Sequence, residues 1–153
     1  MLQVWSPVAG SSLAVSDLPD PVFSKGLVGP GRAISPLPGK QCALAPVSGK
    51  LVKVHPHAFV ILTGGGHGVL VHLGVDTVRM QGAGFELHAG ENDEVTAGDE
   101  IVTWNPAEVE EAGYSPLCAV VVLDCTPDVI EHHTGNGQVE AKQLLFEVDV
   151  DDC

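Results

Sequence analysis

The chain has 153 residues, enough for one domain with a core of its own. It carries 7 Lys and Arg against 20 Asp and Glu, a formal net charge of -13, which repels phosphate backbones and anionic lipid head groups. Nucleic acid and membrane-surface partners are therefore not expected, nor is membrane insertion.

More than half of the acidic excess falls from Asp124 onward, where eight acids face the single base Lys142, and residues 151–153 read as an acidic tail on a single domain spanning 1–153. The longest apolar runs, such as Ala119 to Leu123, are too short for a spanning helix. Met1 to Pro7 has no basic stretch followed by an apolar core, so no signal peptide is expected and the cytoplasm is the expected location. Cysteines stand at 42, 118, 125 and 153 without a Cys-x-x-Cys pair, and a cytosolic chain is expected to keep them as thiols.

Eighteen Gly and 11 Pro punctuate the chain into many short elements. In chain order the predicted strands are Ala33-Ile34, Cys42 to Val47, Lys50 to His55, Ala58 to Leu62, Val69 to Leu73, Glu100 to Trp104, Leu117 to Leu123 and Leu144 to Val150. Two stretches read as helical. Asn105 to Gly113 has an Asn cap, Pro at the first helical position, early acids and a terminal Gly. Thr126-Pro127-Asp128 opens a second short turn that runs to about His133. The predicted class is all-β, an antiparallel sandwich or partly closed barrel of short strands with one or two short helices. Ser6-Pro7-Val8-Ala9-Gly10 is echoed 39 residues later by Ala45-Pro46-Val47-Ser48-Gly49, which suggests a duplicated β unit.

The stretch His57 to Val78 holds two apolar segments around a Gly-rich turn, a hairpin signal. With Gly64-Gly65 as a two-residue turn, His57 falls directly opposite His72. Both then share a face with Phe59, Ile61 and Leu70, away from Ala58, Val60, Leu62, Val69 and Val71. Side chains opposed in this way have Cβ atoms about 4.5–5.5 Å apart, close enough for two imidazoles to act on one group. A one-residue slip would reverse the faces. A single strand histidine is usually a surface or satisfied core residue, but two on an apolar face each need a partner. Zinc binding, general acid/base work and a nucleophilic imidazole would all use such a pair.

Leu70-Val71-His72-Leu73-Gly74-Val75-Asp76-Thr77-Val78 closely resembles the signature of the glucose-family enzyme IIA component of the bacterial phosphoenolpyruvate:sugar phosphotransferase system. His57-Ala58-Phe59 matches that family's second histidine, fifteen residues upstream. Pro19-Asp20-Pro21-Val22-Phe23, Leu27 to Gly31, Ala45 to Gly49, Gly82-Ala83-Gly84-Phe85 and Ala97-Gly98-Asp99 match further family stretches in order. His55 stands where the family often places a threonine that hydrogen-bonds to the pair, and the longer basic, amphipathic arm of enterobacterial members is not seen before Val4.

The resemblance implies a fold of the duplicated hybrid motif type and a phosphohistidine carrier without a cofactor. His72 would accept a phosphoryl group from the phosphocarrier HPr and pass it to the IIB domain of a sugar permease, of the glucose or N-acetylglucosamine class. His57 would stabilise the phosphoryl group, the Gly74 carbonyl would fix the His72 tautomer, and Asp76 would sit at the rim. Val22, Phe23, Leu27, Val28 and Val78 stand at family interface positions, where regulatory proteins would also dock. No metal is expected in the isolated protein, although a zinc shared with a partner could use His57 and His72.

Two other readings compete. His72-Leu73-Gly74-Val75-Asp76 with His55-Pro56-His57 fits a zinc hydrolase using His57, His72 and Asp76, but the surrounding motif order is wrong for that group. Val95 to Ile101 suggests a lipoyl or biotinyl carrier, but no lysine stands in a Met-Lys-Met or Asp-Lys-Ala setting. His67, His88, His132 and His133 read as a turn residue and solvated surface groups.

Overall fold

Frequent turns leave the chain little choice but short strands, and the computed structural model shows how they stack. It describes residues 2–21, 29–123, 125, 130–133 and 135–149. Val22, Phe23, Leu27, Val28, the tail at 151–153 and the Thr126-Pro127-Asp128 turn opening lie outside the described residues.

The main sheet has eight strands in the order β13 (Gly137–Val139), β2 (Gly10–Ala14), β3 (Gly31–Pro36), β11 (Cys118–Val122), β7 (Gly68–His72), β6 (Ala58–Leu62), β5 (Gly49–His55) and β9 (Glu94–Val95). Two three-stranded sheets accompany it: β1 (Leu2–Trp5), β14 (Leu144–Val148) and β12 (Ile130–His133), and β4 (Gln41–Leu44), β10 (Glu100–Trp104) and β8 (Glu86–Leu87). Among the described residues all the strand pairings are antiparallel and no sheet closes on itself, so the fold is an open sandwich.

Strand β11 explains its own unbroken apolar run. Cys118, Val120 and Val122 point into the main core, while Ala119 and Val121 join a second cluster with Leu18 and Ala33 on the opposite face. A strand covered on both faces needs no polar alternation. Each fully buried Val or Leu contributes about 1.5–3 kcal/mol of transfer free energy. Val4, Leu145, Phe146, Ile101 and Trp104 close the main core from the two smaller sheets.

The 39-residue echo has a structural counterpart. Trp5 N–H donates to Pro46 O and Leu44 N–H to Pro7 O, both at 2.9 Å. Ser6 N–H donates to Gln143 O at 2.7 Å, as Ala45 N–H does to Asp99 O at 2.8 Å. The two Pro-Val turns thus grip each other about a pseudo-two-fold axis, and each leads into a strand of the main sheet. The glycines that end the turns are sterically required: a Cβ on Gly10 would lie 2.0 Å from Ser35 O, and one on Gly49 2.2 Å from Leu62 O.

The predicted helix at Asn105 is present as α1 (Pro106–Glu111), with the Asn105 side chain accepting from Ala107 N–H at 3.0 Å. The helical reading as far as His133 is corrected over its described end. Ile130 to His133 form β12, because pairing with β14 satisfies their backbone groups. The thiol expectation holds for Cys42 and Cys118, which are free, but not for Cys125, which is disulfide-bonded. Sequence spacing says nothing of the through-space approach that a disulfide needs.

Candidate functional site

The β6–β7 register differs from the expected one by a single residue. Gly66 N–H donates to Thr63 O, Thr63 N–H donates to His67 O, both at 2.9 Å, and Gly66 adopts φ 88°. A turn followed by a left-handed glycine makes a longer, bulged hairpin loop than the two-residue form. Ala58, not His57, therefore lies opposite His72. Phe59, Ile61, Val69 and Val71 face the buried core, whereas His72 shares the other face with Ala58, Val60 and Leu70.

The two rings meet nonetheless, by another route. His57 is outside β6, in the two-residue turn Pro56-His57 that joins β5 to β6 across the His55–Ala58 pair. Leu73 N–H donates to His57 O at 2.8 Å and ties that turn to the end of β7. The imidazole centroids of His57 and His72 are 5.2 Å apart with planes at 70°, and His55 stacks on His57 at 5.8 Å and 27°.

His72 is half-buried, and its Nδ1 lies 2.6 Å from Gly74 O. A carbonyl can only accept, so Nδ1 carries the hydrogen and the lone pair of the neutral ring falls on Nε2. Gly74 is held hard in place. Its φ is +84°, and a Cβ there would lie 2.4 Å from Thr77 Cγ2 and 2.9 Å from Ser115 O. Thr77 is buried and donates from Oγ1 to Leu73 O at 2.7 Å, while Val75 N–H donates to Ser115 O at 2.9 Å. Behind the loop, burial pushes the free Cys118 thiol up to about 12, partly offset by a backbone hydrogen bond at Gly74. Gly74→Ala is expected to destabilise the fold by about 1–3 kcal/mol, the usual cost of forced backbone strain. Thermal unfolding checks this, and an unchanged melting temperature would refute it.

Burial lowers the pKa of His72, and the Gly74 carbonyl, Asp20 and Asp76 act in the opposite direction. His57 is brought down to about 4 by burial first, then by the positive charges that His72 and His55 can carry. Both rings are therefore neutral at pH 7. For His57 the unfolded value is 6.5 and the folded value lower, so the unfolded chain binds more protons between these values. Stability is expected to fall as pH drops from about 6.5 towards about 4. Urea midpoints across that window should fall less steeply in His57→Gln than in the wild type; identical slopes would contradict the sign.

Asp76 is exposed, with φ 60°, and opens the 3-10 turn Thr77–Met80 on which Val78 is 60% exposed. Asp20 is a neighbour of the histidine site that sequence reasoning did not single out. It acts on His72 from the connection between β2 and β3, and with Pro19, Val75, Asp76 and Tyr114 it lines a depression of about 340 Å³. The Pro19-Asp20-Pro21 stretch was visible, but not its approach to His72. A second depression of about 310 Å³ lies beside Phe85 and Trp104, and neither depression is lined by His55, His57 or His72. His67 ends the hairpin turn, and His88 is exposed with Nε2 on Thr103 Oγ1 at 2.5 Å. Among the described residues no three His, Cys, Asp or Glu side chains are arranged to hold a metal ion, so the hydrolase reading finds no ligand set there. No helix among them is long and apolar enough to cross a membrane.

The glucose-specific EIIA component of Halalkalibacterium halodurans is 40% identical over 123 residues, 79% of this chain and 70% of that protein. Its counterpart in Buchnera aphidicola is 38% identical over 122 residues, covering 78% and 74% of the two chains. The solved structure of glucose permease IIA from Mycoplasma capricolum superposes with a TM-score of 0.87 at 33% identity, over 95% of this chain and 94% of that one. The sequence model for the phosphoenolpyruvate-dependent sugar phosphotransferase system EIIA 1 family matches residues 2–127, and with these relatives it shows that the chain belongs to that family.

Proposed function

We propose that this chain accepts a phosphoryl group from HPr on Nε2 of His72 and passes it to the IIB domain of a sugar permease. The observation that carries this reading is the His72 Nδ1–H held on Gly74 O at 2.6 Å with the His57 ring beside it. The neutral ring puts its lone pair on Nε2, where it can attack phosphorus. As the Nε2–P bond forms, the bond from phosphorus to the donor breaks, and its electron pair leaves with the donor. Such transfer asks mainly for in-line positioning and charge stabilisation. His57 supplies the second by hydrogen-bonding the phosphoryl oxygens. Their negative charge favours a protonated His57, so charge stabilisation strengthens as the group arrives.

The cytoplasmic location, the glucose or N-acetylglucosamine class and docking through Val78, with Val22, Phe23, Leu27 and Val28, belong to this proposal. So do the absence of a cofactor and of a tightly bound metal in the isolated protein, and any zinc shared with a partner at His57 and His72. An exposed apolar side chain on the turn that follows the His72 loop suits transient docking. The test is to incubate the protein with phosphoenolpyruvate, enzyme I and HPr and read the intact mass. A gain of one phosphoryl group is expected; no gain would overturn the proposal.

A further inference from the structure

We propose that His55 is a positioning residue: its ring stacks on His57 and holds that imidazole edge-on to His72. The inference rests on the reading of His57 as the group that stabilises the phosphoryl.

His57 occupies a turn, where a side chain would ordinarily have freedom about its terminal torsion, which is broad for an imidazole. Its backbone is pinned by the bond from Leu73 N–H, and Pro56 presets the turn. Nothing in that backbone anchoring fixes the ring. The ring contacts do so: His55 stacks on it at 5.8 Å and 27°, and His72 stands edge-on at 5.2 Å and 70°. His55 is at the end of β5, where its pairing with Ala58 places its backbone one residue from the turn that holds His57. It is exposed, so the contact is not a by-product of core packing. The positive charge His55 can carry also helps to keep His57 neutral in the resting protein. When the phosphoryl group is on His72, a ring held in this orientation presents its N–H without a search through torsions.

The test compares His55→Ala, which removes the ring, with His55→Phe, which keeps a stacking ring without its charge. Cross-relaxation between the ring protons of His57 and His72 should be present in the wild type and His55→Phe and weak in His55→Ala. Onward transfer to the IIB domain should fall roughly 2–10-fold in kcat in His55→Ala, with KM nearly unchanged, and recover in His55→Phe. Wild-type ring contacts in His55→Ala, or a His55→Phe variant as slow as His55→Ala, would overturn the assignment. If the wild type accepts no phosphoryl group, the proposed function fails instead, and the ring contacts alone decide the role of His55.

Discussion

His72→Ala is expected to gain no phosphoryl group from phosphoenolpyruvate, enzyme I and HPr under conditions in which the wild type gains one. The argument is geometric. Among the three clustered imidazoles of His55, His57 and His72, His72 has the tautomer fixed by a backbone carbonyl, at 2.6 Å from Gly74 O. His57 shares the cluster but its carbonyl anchor concerns the main chain, not the ring. Removing the nucleophile removes the acceptor, so the expected effect is a complete loss and not a partial one. Circular dichroism of the variant should be native, since His72 is half-buried and adds little to the core. A variant that gains the same mass as the wild type would move the acceptor role elsewhere.

His57→Gln should still accept the group and pass it on roughly 100–1,000-fold more slowly, the usual cost of losing one well-placed stabilising donor. Glutamine can donate a hydrogen bond from its amide but cannot take up a proton as negative charge builds on the phosphoryl oxygens. The resting pKa of His57, down to about 4, keeps the ring neutral, so it donates as a neutral N–H unless the arriving anion offsets the burial that lowers it. Acceptance depends chiefly on the neutral His72 nucleophile, so the two variants should separate the two half-reactions. Transfer from phosphorylated His57→Gln to the IIB domain at the wild-type rate would remove His57 from the mechanism.

Much of this was legible in the residues. Strands Ala58–Leu62 and Glu100–Trp104 stand where the apolar runs between turn signals place them. Strand β2 was not, because Gly10-Ser11-Ser12 reads as loop; it is a strand since its glycine lets β3 approach closely and Ser12 is buried. Strand β12 depends on pairing with β14 across the intervening β13, which local pattern does not reveal. The hairpin register slipped because three consecutive glycines permit both a two-residue turn and a bulged one. The pairing of His57 with His72 was the right expectation reached through the wrong ladder: a neighbouring turn, not a cross-strand position, delivers His57. Asp20 shows the same limit, since its effect on His72 exists only once the fold has brought the two within electrostatic reach.

The mutual grip of the two Pro-Val turns means that one frame is laid down twice while the reaction centre is assembled once. At corresponding places the halves differ in reach. Between β5 and β6 the chain turns in two residues, and between β2 and β3 it makes the long excursion that carries Asp20. Length is therefore an unequal freedom in this architecture. Even a small insertion at Pro56 would carry His57 away from His72, whereas neither the bond from Leu73 N–H to His57 O nor that between His72 Nδ1 and Gly74 O involves a residue between β2 and β3. The short turn fixes where the two imidazoles meet, and its long counterpart puts no such demand on its own length.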